Sequence, residues 1–202
     1  MFNTNLNERV VIYTEQVDWV TSPSSGVWRK PLEKEAAESG RTSSIVRFDA
    51  GSSFRPHSHP LGEEILVLDG VFSDETGDFP VGSYFRNPPG SGHTPSSREG
   101  CVLLVKLDQF ADGDDAFVRV DTRTAEWLPG HGGLQVMPLH DFEGEQVALV
   151  KWPAGERFLE HQHFGGEEVF VISGEFIDEH GRYPAGTWIR SPHGSRHHPW
   201  VE

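Results

Sequence analysis

The feature that most constrains this chain of 202 residues is an internal repeat. When the sequence is shifted by 104 residues, residues 50–95 align with residues 154–199 without a gap, and 22 of the 46 positions are identical. A repeat of this length indicates that one structural unit occurs twice along the chain. We therefore predict two domains, residues 1–110 and residues 111–202.

Short runs of β-branched and aromatic residues, separated by turn residues, predict an all-β fold. The 22 glycines and 14 prolines are spread between these runs as turn signals. The predicted strands are Val10–Tyr13, Ser44–Phe48, Ile65–Leu68, Cys101–Leu107, Ala148–Trp152 and Val169–Ile172. The one segment with a helical composition, Leu32–Ser39, is short and polar, so we predict a surface loop or a single turn there. Strands this short are typical of a sandwich or a barrel.

The second copy of the repeat is shorter than the first. The counterpart of residues 99–110, which include the apolar strand Cys101–Leu107, would fall after Glu202. An uncovered strand edge is a place where another chain can pair. The sequence leaves three outcomes open: the chain has been cut, another segment fills the edge, or a homodimer forms through it.

The composition argues against several classes of partner. The formal net charge is −14, from 17 basic and 31 acidic side chains, whereas a nucleic-acid partner needs a basic face. The longest aliphatic run, Cys101–Val105, is far shorter than the roughly 20 residues that a membrane-spanning helix requires. The first residues lack the basic and apolar regions of a secretory signal. The single cysteine excludes an intramolecular disulfide and fits the reducing cytoplasm, where we expect the protein to lie.

Each copy of the repeat contains three histidines and one glutamate in the same arrangement. His57 and His59 are two positions apart, so on a strand both imidazoles point to one face. Glu63 follows four positions later, and His93 lies beyond two predicted turns. Because this set recurs with unchanged spacing, a divalent metal site is favoured over a pair of surface histidines. The second set comprises His161, His163, Glu167 and His197.

Other repeated residues are predicted to be structural. Glu64 should face away from the metal ligands, and Arg86 is its expected ion-pair partner because both recur in the second copy. Residues 74–75 and 178–179, an aspartate and a glutamate in each copy, are expected at the surface of a hairpin. Cys101 lies in an apolar strand and is predicted to be an inert core thiol.

These patterns resemble the two sequence motifs of the cupin superfamily. The turns at residues 80–82 and 184–186, each followed by a histidine, resemble the second motif, although eleven positions separate glycine from histidine and no asparagine follows. The resemblance implies two tandem jelly-roll barrels, each with a metal inside that is bound by the two early histidines, the glutamate and the later histidine. The residues that match the first motif are Gly51, His57, His59, Glu63 and Gly70, and again Gly155, His161, His163, Glu167 and Gly174.

Within the cupins, the sequence around these ligands is similar to the cupin domain of ChrR-type anti-sigma factors. That resemblance implies zinc as the metal and a regulatory or sensing role. ChrR proteins hold their sigma factor through a separate helical zinc domain with cysteine ligands. This chain has one cysteine and no helical segment before the first cupin, so direct sigma-factor binding is not expected.

A second function stays open, because many cupins are dioxygenases or other small-molecule enzymes. Zinc bound by three histidines and a glutamate is close to saturated, which suits a structural or sensing role. Iron, manganese or nickel with the same ligands keeps two octahedral positions open for a small-molecule ligand and oxygen. A metal sealed by aromatic side chains would favour the sensor, and an open pocket would favour the enzyme. The sequence identifies no catalytic residue beyond the ligand set.

Overall fold

The computed structural model describes residues 1–36 and 39–202. Regular structure in these two ranges consists of β-strands and one 3₁₀ turn, Thr14–Gln16, with no α-helix. The predicted all-β class is therefore confirmed. Nothing in the same ranges forms a helix with the length and apolar character that crossing a membrane requires.

The described residues contain twenty-two strands, numbered in chain order. They are β1 (Val10–Tyr13), β2 (Val20–Thr21), β3 (Val27–Lys34), β4 (Thr42–Phe48), β5 (Ser52–Ser53), β6 (His57–His59), β7 (Glu63–Asp74), β8 (Gly77–Pro80), β9 (Ser83–Asn87), β10 (Ser91–His93) and β11 (Ser96–Ser97). The second series is β12 (Cys101–Leu107), β13 (Val118–Asp121), β14 (Leu128–Pro129), β15 (Gln135–Phe142), β16 (Glu145–Lys151), β17 (His161–Gln162), β18 (Glu167–Phe170), β19 (Glu175–Asp178), β20 (Gly181–Pro184), β21 (Thr187–Ser191) and β22 (Arg196–His197).

The chain divides into two units, and neither is a contiguous half of the sequence. Unit 1 comprises Met1–Thr4 and Asp18–Ala125. Unit 2 comprises Asn5–Val17 and Glu126–Glu202. Strand β1 therefore belongs to unit 2, and strand β13 belongs to unit 1.

Unit 1 is built around one large sheet with the strand order β13-β9-β7-β12-β4-β3-β2. Strands β8 and β11 pair with β7, strand β5 pairs with β11, and β6 and β10 form a separate two-stranded sheet. Because side chains alternate across a strand, one face of the sheet collects the apolar residues. The buried core includes Val46 and Phe48 on β4, Ile65 and Val67 on β7, and Leu103 and Val105 on β12.

Unit 2 repeats this design with fewer paired strands. Its sheets have the orders β1-β21-β18 and β14-β15-β16, and two further pairs are β17 with β22 and β19 with β20. One core cluster contains Val171, Tyr183 and Ile189.

The opening strands of the two repeats are exchanged between the units. In unit 1, β13 pairs with β9, and Val118 lies opposite Arg86. In unit 2, β1 pairs with β21, and Val10 lies opposite Arg190. Arg86 and Arg190 are equivalent positions of the repeat, so β1 and β13 occupy equivalent places. Each strand opens one copy of the repeat and completes the unit of the other copy. The units consequently differ from the contiguous division at residues 110 and 111.

The two units differ at the position that the apolar strand β12 occupies in unit 1. In unit 1, β12 pairs with β4 on one side and with β7 on the other. The counterparts in unit 2 are β16 and β18, and no strand of the described ranges lies between them. Most residues of β4 are buried, whereas most residues of β16 are exposed. Strand β1 does not fill this place, because it pairs with β21 instead.

Two of the predicted strands, Val10–Tyr13 and Cys101–Leu107, have the bounds that the sequence predicted. The surface loop or single turn predicted over Leu32–Ser39 is wrong at its start, because Leu32 and Glu33 belong to β3 and are 0% and 1% exposed. A register shift between Pro31 and Glu33 interrupts the alternation there. Arg41 forms an ion pair with the Glu33 carboxylate, with 2.6 Å between Nε and Oε1. Residues 37 and 38 of that prediction lie outside the described ranges.

Candidate metal centres

Site 1, the set His57, His59, Glu63 and His93, is assembled by three strands of unit 1. The antiparallel pairing of β6 with β10 places His57 opposite His93. Glu63 is the first residue of β7, directly after the turn that follows His59. The four side chains are thus brought to one place. His57 and His59 share a face because side chains alternate along β6.

The ligand atoms of site 1 lie close together, and three of the four residues are buried, whereas His57 is half-buried. The Nε2 atoms of His59 and His93 are 3.1 Å apart. Oε2 of Glu63 is 3.4 Å from the first nitrogen and 3.5 Å from the second. One ligand atom from each of the three histidines, including His57, falls within 4.8 Å of the others. His59, Glu63 and His93 are 4%, 5% and 9% exposed.

Site 2, the set His161, His163, Glu167 and His197, is arranged similarly in unit 2. Its glutamate belongs to the ligand atoms that lie within 4.8 Å of one another, whereas in site 1 that set consists of the three histidines without Glu63. Nε2 of His197 is 3.0 Å from Nε2 of His163 and 3.2 Å from Nε2 of His161. The carboxylate of Glu167 is 3.4 Å from His163 and 3.6 Å from His197. All four residues offer ligand atoms within 4.8 Å of one another.

Hydrogen bonds at the far side of the rings determine which nitrogen faces the centre. Nδ1 of His57 lies 2.9 Å from the carbonyl oxygen of Arg55, and Nδ1 of His161 lies 2.9 Å from that of Leu159. A carbonyl oxygen only accepts, so Nδ1 carries the proton in the neutral form of each ring, and the lone pair of that form is on Nε2, which faces the centre. Several lone pairs therefore converge on one point in each site, which is the arrangement that a cation stabilises.

The spacing of these atoms fits a single divalent ion. Two nitrogens at about 2.1 Å from one ion are about 3.0 Å apart at a right angle and about 3.4 Å apart at the tetrahedral angle. The nitrogen pairs of the two sites, at 3.0 to 3.2 Å, fall in that range. Imidazole with carboxylate is a donor set for zinc, iron, manganese and nickel. The residues present therefore fit a metal ion in each unit.

Burial changes the acidity of the ligands. It lowers the pKa of His59 to about 3 and that of His163 to about 4, with the neighbouring histidines adding to the effect. Burial also raises the pKa of Glu63 and of Glu167 to about 7. The imidazoles of His59 and His163 are thus held neutral, and the carboxyls of Glu63 and Glu167 are pushed towards protonation. A bound divalent cation would reverse the effect on the carboxyls, because its charge favours the ionised form.

Two carboxylates that the sequence analysis placed at a hairpin surface lie next to the sites instead. Oδ2 of Asp74 is 3.4 Å from Nδ1 of His93, and Oδ2 of Asp178 is 3.7 Å from Nδ1 of His197. Both aspartate side chains are 2% exposed. The prediction was wrong for these two aspartates, because the last residue of the strand before each hairpin points inward, whereas Glu75 and Glu179 are exposed as predicted. A carboxylate behind a ligating histidine orients the ring and raises its basicity.

Site 1 has a polar support that the sequence analysis missed. Nδ2 of Asn87 donates a hydrogen bond of 3.0 Å to Oε2 of Glu63. Arg119 on β13 in turn donates to Oδ1 of Asn87, at 2.7 Å. Arg119 lies outside the aligned part of the repeat, so only the strand pairing could reveal it.

Site 2 has an arginine of its own, Arg9, which directly precedes strand β1. Arg9 donates to Oδ2 of Asp178 at 3.1 Å and to the hydroxyl of Tyr183 at 2.8 Å. The same hydroxyl donates to the other oxygen of Asp178 at 2.8 Å. Arg9 therefore holds the aspartate behind His197.

Two further predictions can be compared with the structure. The ion pair of Glu64 with Arg86 is confirmed, and Arg86, which is 1% exposed, also pairs with the buried Asp114. Cys101 is 3% exposed within the core, and burial raises the pKa of its thiol to about 11, as an unreactive thiol requires.

Aromatic rings pack against the histidines of both sites. The ring centre of Phe54 is 5.1 Å from that of His57, and the ring centre of Phe72 is 5.8 Å from that of His93. In unit 2, Phe158 lies 4.8 Å from His161. Phe72 belongs to the buried core of unit 1, so part of the aromatic surroundings of site 1 is plain core.

Several solved structures are similar to this one. A candidate dioxygenase from Nostoc punctiforme matches with a TM-score of 0.80 and 14% identity, covering 96% of this chain and 79% of that chain. Ylba from E. coli matches with a TM-score of 0.74 and 13% identity, covering 98% and 88%. Oxalate decarboxylase from Bacillus subtilis, a protein with Mn(II) centres, matches with a TM-score of 0.66 and 15% identity, covering 95% and 73%. Identities this low show the fold alone.

The sequence itself assigns the family. No protein with a curated function matches the chain. The model of the ChrR cupin-like domain matches twice, over residues 7–111 and residues 115–202. These two matches confirm the predicted fold of two tandem cupin domains and the predicted resemblance to the ChrR branch. The chain belongs to the ChrR cupin-like domain family.

Proposed function

We propose that this protein is a bicupin that holds one divalent metal ion in each unit and acts as a regulatory or sensing protein. One observation carries the proposal: in each unit three imidazoles and a carboxylate lie together, with histidine nitrogens 3.0 to 3.2 Å apart and the carboxylate within 3.6 Å of two histidines. His57, His59, Glu63 and His93 would hold one ion. His161, His163, Glu167 and His197 would hold the other.

Zinc is the metal that we favour, with iron, manganese or nickel as alternatives. Each of these ions would supply a Lewis-acidic centre. A nearly saturated set of three histidines and a carboxylate suits zinc in a structural or sensing role. The burial of His59, Glu63 and His93 supports that role, because ligands that are closed to solvent offer little access to a substrate.

The regulatory part of the proposal rests on membership of the ChrR cupin-like family. We expect a cytoplasmic protein without a nucleic-acid partner, given the net charge of −14. Direct sigma-factor binding is not part of the proposal, because the domain that would provide it is not recognised in this sequence.

Metal analysis tests the proposal. Untagged protein, purified without chelators, is expected to contain about two metal ions per chain, one for each complete ligand set. His57→Ala and His161→Ala should each lower the content by one ion, and the double variant should contain none. His140→Ala, at a histidine outside both sites, is the matched control and should keep both ions. Protein without stoichiometric metal, or a double variant with unchanged metal, would contradict the assignment.

A second candidate function is a metal-dependent dioxygenase, and the exposure of site 2 favours it. The side chains of His163 and Glu167 are 20% and 21% exposed, against 5% and 6% for His59 and Glu63. Iron, manganese or nickel in the purified protein, together with oxygen uptake in the presence of diketone-like substrates, would support this alternative. Zinc at both sites without oxygen uptake would exclude it.

A further inference from the structure

The glutamate of site 1 is fixed by a chain of hydrogen bonds. Arg119 donates from one guanidinium nitrogen to Oδ1 of Asn87, at 2.7 Å, and from the other to the carbonyl oxygens of Arg86 and Val118, at 3.0 and 2.8 Å. Since Oδ1 of Asn87 accepts from Arg119, its amide NH₂ must face Glu63, to which it donates at 3.0 Å. The guanidinium also lies over the rings of Phe117 and Phe85.

The glutamate of site 2 has no such support. Ser191 stands at the position equivalent to Asn87. The strand register that places Arg119 opposite Phe85 places Val11 opposite Ile189 in unit 2. Among the described residues, the hydrogen-bond and ion-pair partners of the Glu167 carboxylate are His163 and His197, the histidines of its own site.

The two carboxylates therefore differ in how freely they can turn. A carboxylate that accepts from a buried, oriented amide loses that bond when its side chain rotates, and an unmade buried bond is costly. Rotation of Glu63 would incur this cost, because its donor Asn87 is 5% exposed and is itself held by Arg119. Glu167 can rotate without leaving a buried donor unpaired, and solvent reaches it.

We propose that the two metal sites have different duties: site 1 keeps its ion and its four ligands, whereas site 2 exchanges its carboxylate for an external ligand. That ligand would be a small anion with an oxygen donor, such as a carboxylate, which takes the position that Glu167 leaves on the metal. Asn87 and Arg119 act as positioning residues for site 1. The inference rests on the proposed function, because it requires an ion at both sites.

Chelator kinetics test the difference between the sites. The protein is loaded with Zn(II) and mixed with excess 4-(2-pyridylazo)resorcinol, and the released metal is followed by absorbance. We expect two phases of one equivalent each, with at least about a tenfold difference in rate, since losing a support of a ligand commonly weakens metal binding by 10–100-fold. His161→Ala should abolish the fast phase, and His57→Ala should abolish the slow phase.

Exchanging the supporting residues provides the matched variants. Asn87→Ser gives site 1 the residue of site 2 and should accelerate the slow phase towards the fast one. Arg119→Lys keeps a positive charge and should have a smaller effect than Arg119→Val. Should Asn87→Ser fail to fold, as judged by circular dichroism of the metal-free protein, Ser191→Asn serves instead and should slow the fast phase.

A spectroscopic experiment tests the external ligand. In protein loaded with Co(II), acetate is expected to change the visible spectrum of one of the two ions. The change should persist in His57→Ala and disappear in His161→Ala. An equal response of both ions, no response of either, or two zinc ions that leave at the same rate would overturn the inference while leaving the proposed function intact. Failure to bind two ions at all would instead overturn the proposed function.

Discussion

The two proposed metal sites of this protein have equivalent candidate ligands and different surroundings. In unit 1 the glutamate is backed by an asparagine and an arginine, and the ligands are almost closed to solvent. In unit 2, Ser191 and Val11 stand at the positions equivalent to Asn87 and Arg119. Arg9 supports Asp178 instead, and the side chains of His163 and Glu167 are partly exposed. The comparison teaches that repetition of a set of candidate ligands does not imply repetition of the residues behind them, which decide how tightly each ligand is held.

The largest effect is expected from removing the strand that unit 2 receives from the start of the chain. Deletion of residues 1–17 removes β1 and Arg9, and with them the edge of the sheet β1-β21-β18, whereas unit 1 loses only Met1–Thr4. Site 2 should lose its metal while site 1 keeps its own, so that the metal content falls from about two ions per chain to about one. A synthetic peptide of residues 1–17 should restore the second ion. Retention of both ions by the shortened protein would show that the exchanged strand is dispensable.

The next effect concerns the buried ion pairs of unit 1. Arg86→Leu leaves the carboxylates of Glu64 and Asp114 without their guanidinium in the interior. Removing one partner of a buried pair costs about 3–5 kcal/mol, and we expect the free energy of unfolding in urea to fall by that amount. The matched control is Arg98→Leu, whose pair with Glu99 is exposed and should change the same quantity by less than about 0.5 kcal/mol. Equal effects of the two variants would contradict the importance of burial here.

A smaller effect is expected at the carboxylates behind the histidines. Asp74→Asn and Asp178→Asn should each weaken metal binding at their own site by about 10–100-fold, because the oriented and more basic histidine is lost. Asp178 is also held by Arg9, so Arg9→Leu should reproduce part of the loss at site 2 and none at site 1. Competition titration with a fluorescent zinc indicator measures these affinities. A loss at both sites from any single variant would point to general unfolding instead.

The smallest effect is a dependence on pH that the two sites share. The raised pKa of Glu63 and of Glu167, about 7 in the folded protein, means that metal binding must displace a proton below that pH. Affinity should therefore rise with pH, by up to about tenfold per unit for this proton, and level off above pH 7. In the metal-free protein, folding stability depends on pH in the opposite direction to metal affinity. The two carboxyls stabilise the fold below their unfolded pKa of 4.5, and that contribution is lost as the pH rises through 7. Glu63→Gln and Glu167→Gln should each remove the rise of metal affinity with pH at its own site only.

The histidine and glutamate positions were accessible from the sequence because they depend on local geometry. The spacing of two between His57 and His59 implies a common face of a strand, and the antiparallel turn brings His93 back beside them. The strands β1 and β12 were predicted with the same bounds because alternation and turn residues are local signals.

The remaining features depend on pairing over long distances, which no local pattern encodes. Arg119 supports Glu63 across 56 positions, and Arg9 supports Asp178 across 169, because β13 and β1 pair outside their own repeats. Asp74 was misplaced because an acidic residue beside a turn usually faces water, and only the inward direction of its side chain shows otherwise. Leu32 and Glu33 were misplaced because a polar composition concealed a buried strand end.

The exchanged strands have a consequence for the order in which the protein can form during synthesis. Unit 1 needs nothing beyond Ala125, so it can close while the second half of the chain is still being made. Unit 2 needs residues 5–17, which are translated before residues 18–125, and β21, which is translated after them. Strand β1 must therefore wait without its partner while the residues of unit 1 are translated. Site 2 then becomes competent after site 1, and metal bound before that moment would report only on site 1.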